Sequence, residues 1–370
     1  MTFRRATTFV AAALLFACAT APQPGLRTES ARPTRVVLLI GDGMGTAHWT
    51  AARSASRGLA VERFTTAGLV DTRSTSSWIT DSAAGGTAYA TGVRTFNGAI
   101  GVGPDSLPVP NVLEVVRARG WATGIVATSS VTHATPASFV AHVPSRAQEF
   151  DIAADIVRSQ VDVFLGGGTR WFDRAVRPDS SDLLGTVRST HAFVASAAEL
   201  AALDLASTTR LAGLFTENEM PPAPERTPAL AEMTRAALAV LARDPDGSFL
   251  MVEGSQPDWQ AHDNAPIEAL TAEVLDFDAA IGVALDWADA NPGTLVLVVA
   301  DHETGGLAVE LTPDSVHVQG EPRRPFADYT STGHTGGMTP LFAAGPGAHL
   351  FGGIKDNFRV GQLLQELVGR

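Results

Sequence analysis

Arg35-Val36-Val37-Leu38-Leu39-Ile40, followed at once by Gly41-Asp42-Gly43-Met44-Gly45, is the stretch on which the fold turns. An uninterrupted apolar run closed by glycines fits a strand buried on both faces, as in a parallel sheet covered by helices. Asp42 then stands just past the strand's carboxyl end, where open α/β sheets bind their ligands. The GxGxxG order and the lysine of a Walker loop are both missing, so these glycines do not spell a nucleotide site. Taken by itself, Asp42 could equally be a helix cap.

The pattern recurs downstream. Residues 122–128, 161–165, 249–253, 294–300 and 341–344 are apolar runs of strand length, and 111–120, 227–243, 266–290 and 358–368 read as helices. Alternation of this kind predicts an α/β fold around a mostly parallel sheet. Residues 171–225 are the least legible, mixing a helical stretch at 197–203, a short strand at 210–215 and the patch Pro221-Pro222-Ala223-Pro224. They read as an insertion beside the sheet. There is no internal repeat.

Chemistry gathers where the strands end. Thr80-Asp81-Ser82-Ala83-Ala84-Gly85-Gly86-Thr87-Ala88 follows the β-prone Ala67-Gly68-Leu69-Val70 and reads as a helix start capped by Asp81. Ser82 would sit in the first turn, where free N–H groups favour an anion and a hydroxyl can serve as a nucleophile. Small neighbours would let a substrate approach the backbone closely. An ordinary capped helix is the plainer alternative.

Glu253 closes a strand, and Asp258 and His262 follow at i, i+4 spacing, which puts both on one face of a helical turn and makes half of a zinc site. Asp301-His302 can share one metal only if the strand before them has ended, since adjacent strand residues face opposite ways. His334 lies among glycines, and Pro136, just past Thr135, suits a first helical position. Thr135 and Arg146 have plainer readings as a cap and a surface charge. His48, His142, His191, His317 and His349 are assigned to structure or surface.

The chain has 370 residues, 45% hydrophobic and 18% charged, with a net charge of −12, an ordinary globular balance without the basic footprint of a nucleic-acid binder. Its one cysteine excludes an intramolecular disulfide. Arg4-Arg5 and the apolar run from Phe9 to Phe16 read as an export signal too short to span a bilayer, and no second apolar segment is long enough to do so. Leu15-Phe16-Ala17-Cys18 resembles a bacterial lipoprotein box, which would make Cys18 the lipidated first residue of a periplasmic or outer-membrane protein held to the membrane by lipid alone. Cleavage after Ala19-Thr20-Ala21, releasing a soluble protein, is the rival. The boundaries are thus a signal peptide at 1–18, a tether at 19–34 and a catalytic domain at 35–370.

Taken together, the motifs resemble the alkaline phosphatase family. The resemblance rests on Gly41-Asp42-Gly43-Met44-Gly45, on Thr80-Asp81-Ser82-Ala83-Ala84, and on Ala134-Thr135-Pro136-Ala137 through Ala141-His142-Val143 to Ser145-Arg146. It continues through Val252-Glu253-Gly254-Ser255-Gln256, Asp258 and His262, then Ala300-Asp301-His302-Glu303 and His334-Thr335-Gly336, and spans most of residues 35–350 in order.

The resemblance implies a three-layer α/β/α sandwich and a phosphate monoesterase acting through a phosphoserine on Ser82. It implies one zinc on Asp258, His262 and His334, and a second on Asp42, Asp301 and His302. Asp42 would bridge to a magnesium shared with Thr135 and Glu253, and Arg146 would clamp the phosphate. His133 and Trp259 stand where some bacterial members carry Asp and Lys, so the third metal is the least defined. A shorter stretch between Arg146 and Glu253 argues against a large dimer-spanning cap, while a homodimer stays open. A phosphodiesterase or sulfatase on the same metals is the near alternative. An exported binder of phosphate or metal without turnover is the distant one, and Ser82 argues against it.

Overall fold

The structure, a computed structural model, describes residues 32–312 and 324–369. The signal peptide, Cys18, His317 and nearly all of the tether lie outside the described residues. The strands in chain order are β1 (Arg35–Gly41), β2 (Thr66–Asp71), β3 (Ala122–Ser130), β4 (Val163–Gly167), β5 (Ala192–Val194), β6 (Leu211–Leu214) and β7 (Ser248–Gly254). After them come β8 (Thr294–Val299), β9 (Glu303–Thr304), β10 (Leu307–Leu311), β11 (Pro325–Tyr329), β12 (His334–Thr335), β13 (Thr339–Ala344) and β14 (Gly353–Asp356).

Among the described residues, ten strands form one sheet in the order β14-β2-β13-β8-β1-β7-β3-β4-β6-β5. Only β13 runs against its neighbours, β2 and β8. β1 sits inside the sheet, parallel to β7 on one side and β8 on the other. Its alternate residues enter separate cores, as period-two geometry requires. Val36, Leu38 and Ile40 pack with residues of the helices Val112–Arg117, Glu149–Ser159 and Asn357–Gly369. Val37 and Leu39 pack with residues of Leu230–Leu241 and Ile267–Ala290. Each face of the sheet is therefore covered, and the expected three-layer sandwich is the observed one.

Two expectations need correction. Residues 171–225 do not lie wholly beside the sheet, because β6 pairs with β4 and β5 with β6, which extends the sheet and forms its edge. The proline patch that follows is tied to the long helix Ile267–Ala290. Buried Arg226 pairs there with Glu273 at 2.7 Å and with Asp276. Pro136 is the third residue of the short helix Ala134–Ala137, not the first, and His133 is the N-cap. Thr135 is thus inside that helix and caps nothing.

Candidate active site

Every predicted site residue lies at, or just past, the carboxyl edge of β1, β3, β7 and β8, or on the segments that cover it. β8 stops at Val299, which frees Asp301 and His302 from strand alternation. The helix Gln256–His262 carries Asp258 and His262 one turn apart. His334 belongs to no free glycine loop: β12 pairs antiparallel with β9, so Thr304 faces His334. A two-residue ladder, unseen in the sequence, sets this imidazole beside His302.

Three donor groups result, each with its ligand atoms within 4.8 Å of one another: Asp258, His262 and His334; Asp42, Asp301 and His302; and Asp42, Glu253 and His133. The first two match the sequence expectation. In the third, His133 offers a ring nitrogen where only a neighbouring role was foreseen.

The donors fit cations. Both oxygens of Asp42, Oε1 of Glu253, Oδ2 of Asp301 and the Thr135 hydroxyl are buried without a hydrogen-bond partner, a costly state unless a metal satisfies them. Burial first, and then neighbouring carboxylates, drives the Asp42 carboxyl well above its ordinary range. Burial, then Asp258, lifts Asp301 to about 8, and burial lifts Glu253 to about 7.

The imidazoles are pre-set as well. His262 Nδ1 meets Thr332 O at 2.6 Å, and His334 Nδ1 meets Thr80 O at 2.9 Å. A carbonyl only accepts, so each Nδ1 carries the proton and each Nε2 is left as a free donor pair. His302 Nδ1 lies 3.2 Å from Thr304 Oγ1, which itself donates to Asp258, so the same tautomer follows. Burial, then His334, holds the His302 ring well below its ordinary value and therefore neutral. The His302 and His334 rings stack with centroids 3.5 Å apart. Sequence reading missed Thr304. It missed Ser129 and Ser255 too, which donate to Glu253 at 3.2 and 2.7 Å. It also missed Glu303, which accepts from the Thr335 hydroxyl beside His334.

Ser82 opens the helix Ser82–Thr91, capped by Asp81 through Ala84 N at 3.0 Å, and is only 2% exposed. Its Oγ lies 3.2 Å from His302 Nε2. The small residues of this helix serve packing, not only access: a Cβ on Gly85 would lie 2.9 Å from Asp301 O. Gly43, at φ +71°, is fixed more tightly, since a Cβ there would lie 2.8 Å from both Asp258 Oδ1 and Thr304 Oγ1. Arg146 reaches the same edge, donating to Asp81 Oδ2 at 3.2 Å and to His133 Nε2 at 3.1 Å. A guanidinium is always a donor, so His133 Nε2 must accept here and its proton sits on Nδ1. A cation bound through either nitrogen would displace that proton or that hydrogen bond, and His133 cannot serve both partners at once. The His133 ring also meets Trp259 edge to face at 5.9 Å. Asp81 thereby links the Ser82 helix to the arginine, and it accepts from Gly98 N at 3.0 Å as well.

A buried hydroxyl at a helix start, carboxylates and imidazoles in groups that could hold metal ions, and a fork-shaped cation fit a metal-dependent hydrolase site. The alkaline phosphatase family model matches residues 34–320. The chain is 32% identical to alkaline phosphatase 4 of Bacillus subtilis, with 90% of this chain and 88% of that one covered. It is 35% identical to the streptomycin-6-phosphate phosphatase of Streptomyces griseus over 93% of each. The alkaline phosphatase of the Antarctic bacterium TAB5 superposes with a TM-score of 0.84 at 35% identity, covering 91% of this chain and 98% of that one. A His-to-Asp variant of that enzyme is described with magnesium bound in its M3 site. The chain belongs to the alkaline phosphatase family of phosphomonoesterases.

Proposed function

We propose that the chain is an exported alkaline phosphatase that hydrolyses phosphate monoesters through a phosphoserine on Ser82, with two zinc ions and one magnesium. Asp258, His262 and His334 would hold one zinc, Asp42, Asp301 and His302 the other, and Asp42, Glu253 and Thr135, with His133 beside them, the magnesium. When bound, these ions would neutralise the buried carboxylates and stabilise entering and leaving oxygens. The observation that carries this reading is Ser82 Oγ, 3.2 Å from His302 Nε2 at the start of a helix.

Ser82 Oγ forms a bond to phosphorus as the ester oxygen leaves in line, and water then cleaves that new bond and releases phosphate. The helix start places backbone N–H groups toward the anion. Arg146 forks two phosphoryl oxygens while Asp81 holds it in position. Turnover of an aryl phosphate, its diester and the matching sulfate ester in zinc and magnesium tests the assignment. The monoester should lead clearly in kcat/KM, and a diester or sulfate that equals it moves the chain to the alternative chemistry.

Charge explains the preference. The four carboxylates do not cancel three divalent ions and Arg146, and a monoester dianion matches the surplus better than a singly charged diester or sulfate. A diester also blocks one oxygen that the guanidinium would fork. Arg146→Ser should lower monoester kcat/KM by about 10²-fold and diester turnover far less. Equal losses for both would remove Arg146 from this role.

Export rests on Arg4-Arg5 and the apolar run Phe9 to Phe16, and the lipid anchor on Leu15-Phe16-Ala17-Cys18. No described helix is long and apolar enough to cross a membrane. Cys18→Ser should shift the protein from the membrane fraction to the soluble one with kcat unchanged. A wild type that is already soluble and cleaved after Ala21 refutes the lipid anchor.

A further inference from the structure

Trp78 lies in the loop between β2 and the helix Ser82–Thr91, four residues before the nucleophile. With 69% of its surface exposed, it is the most exposed of the large hydrophobic side chains among the described residues. Its loop is nevertheless pinned. Ser74 N donates to Ser77 O at 3.1 Å, Ser77 N to Ser74 Oγ at 3.0 Å, Ile79 N to Ser77 Oγ at 3.1 Å, and Asn97 Nδ2 to Ile79 O at 3.1 Å.

The indole is held on two sides. The Arg73 guanidinium lies 4.8 Å from the ring centroid. The ring edge rests on Gly336, where a Cβ would lie 3.0 Å from Cδ1 and 3.2 Å from Nε1. Gly336 follows the β12 pair His334–Thr335, and His334 in turn reaches Thr80 O on the Trp78 loop at 2.9 Å. Two contacts thus clasp the Trp78 loop to the segment that carries His334. Ile79 and Met338, 40% and 45% exposed, extend the apolar rim along the same two segments. Scattered exposed apolar residues need no explanation. A tied-down indole with one face under a guanidinium and most of its surface in water, packed on the segment that carries His334, is a different case.

We propose that Trp78 is a leaving-group platform that favours phosphate monoesters whose alcohol carries a flat aromatic ring, such as aryl or nucleoside phosphates. The inference rests on the two-displacement reading above. In-line displacement sends the leaving oxygen away from Ser82, toward the group formed by Asp258, His262 and His334. Trp78 borders that group through Gly336, so the rest of the alcohol passes the free face of the indole. Offset stacking on that face needs no hydrogen-bond readout and tolerates different rings. Similarity both to general alkaline phosphatases and to an enzyme named for streptomycin 6-phosphate fits leaving-group choice residing outside the metal centre.

The test compares wild type, Trp78→Ala and Trp78→Phe on phenyl phosphate, adenosine monophosphate and sn-glycerol 3-phosphate, each protein loaded with zinc and magnesium. Trp78→Ala should lower the kcat/KM ratio of an aromatic ester to glycerol phosphate about tenfold, the size of one stacking contact, with the change in KM. Trp78→Phe should restore most of it. A drop for either aromatic ester supports the platform, and which of the two drops shows how far along the alcohol the indole reaches. An unchanged ratio for both, or a change confined to kcat, overturns it. If wild type turns over none of the three esters, the monoesterase reading itself fails, an outcome distinct from an unchanged ratio.

Discussion

Ser82→Ala is expected to lower kcat for phosphate monoesters by about 10³-fold or more while metal content and Tm stay unchanged. The side chain is 2% exposed and its loss removes one oxygen from a helix start, with no cavity large enough to disturb packing. Asp81 still caps the helix through Ala84 N and still holds Arg146, so the anion site survives. Rapid quenching after mixing with labelled substrate should trap phosphate on Ser82 in the wild type and none in the variant. Residual hydrolysis by water is expected, since the groups that bind the transition state remain. Phosphate trapped on another residue, or a variant as fast as wild type, would end the phosphoserine assignment. The comparison also separates chemistry from binding: a variant that keeps its metal content but loses turnover would have lost the nucleophile alone.

Much of the frame of this site was legible because each part is local. β1 and Asp42 could be read from one apolar run and its glycines, and Asp258 with His262 from a spacing of four. Asp81 before a run of small side chains marks a capped helix start, while the role of Ser82 comes from the family resemblance and not from the cap. What escaped depends on partners distant in the chain. Thr304 joins His302 to Asp258, 46 residues away, and neither neighbour marks it in the sequence. His334 reads as a loop residue because a two-residue ladder with β9 is too short to show a period. Residues 171–225 read as an insertion because three or four residues cannot display burial on both faces, and only the pairing of β6 to β4 and of β5 to β6 reveals an edge of the sheet there. His133 was assigned to the surroundings of the third group. Its place there depends on the turn after β3, which sets a ring nitrogen near Asp42 and Glu253.

Chelation should abolish turnover and lower Tm, and the loss of stability should deepen as pH rises from about 6.5 to 8, because histidines unperturbed near 6.5 drop out of the balance above that value. The sign follows from the buried carboxyls. Without metal, burial holds Asp301 up to about 8 and Glu253 up to about 7, with Asp42 also raised well above its ordinary range. The folded protein then keeps protons that the unfolded chain has already lost. Their contribution to stability is therefore greatest below the ordinary carboxylate range, fades as pH climbs through the folded values, and levels off above them. His302 and His133 are held neutral by burial, and His133 is pushed down to about 3, so they act in the opposite sense, but only where an unfolded histidine would be charged. Each retained proton is worth about 1.4 kcal/mol per pH unit. With metals bound, the same carboxylates would be ligands and already deprotonated, so the Tm of the loaded protein should show no such decline across that window. Acid should instead release the metals, because protons then compete for the donors. Calorimetry of chelated and loaded protein at matched pH, with activity followed on return of zinc and magnesium, decides the matter. A chelated protein that stays fully active, or whose Tm rises between about pH 6.5 and 8, would show that these carboxylates are not uncompensated metal ligands, since burial first, and then their mutual repulsion, is what makes the metal-free fold prefer protons.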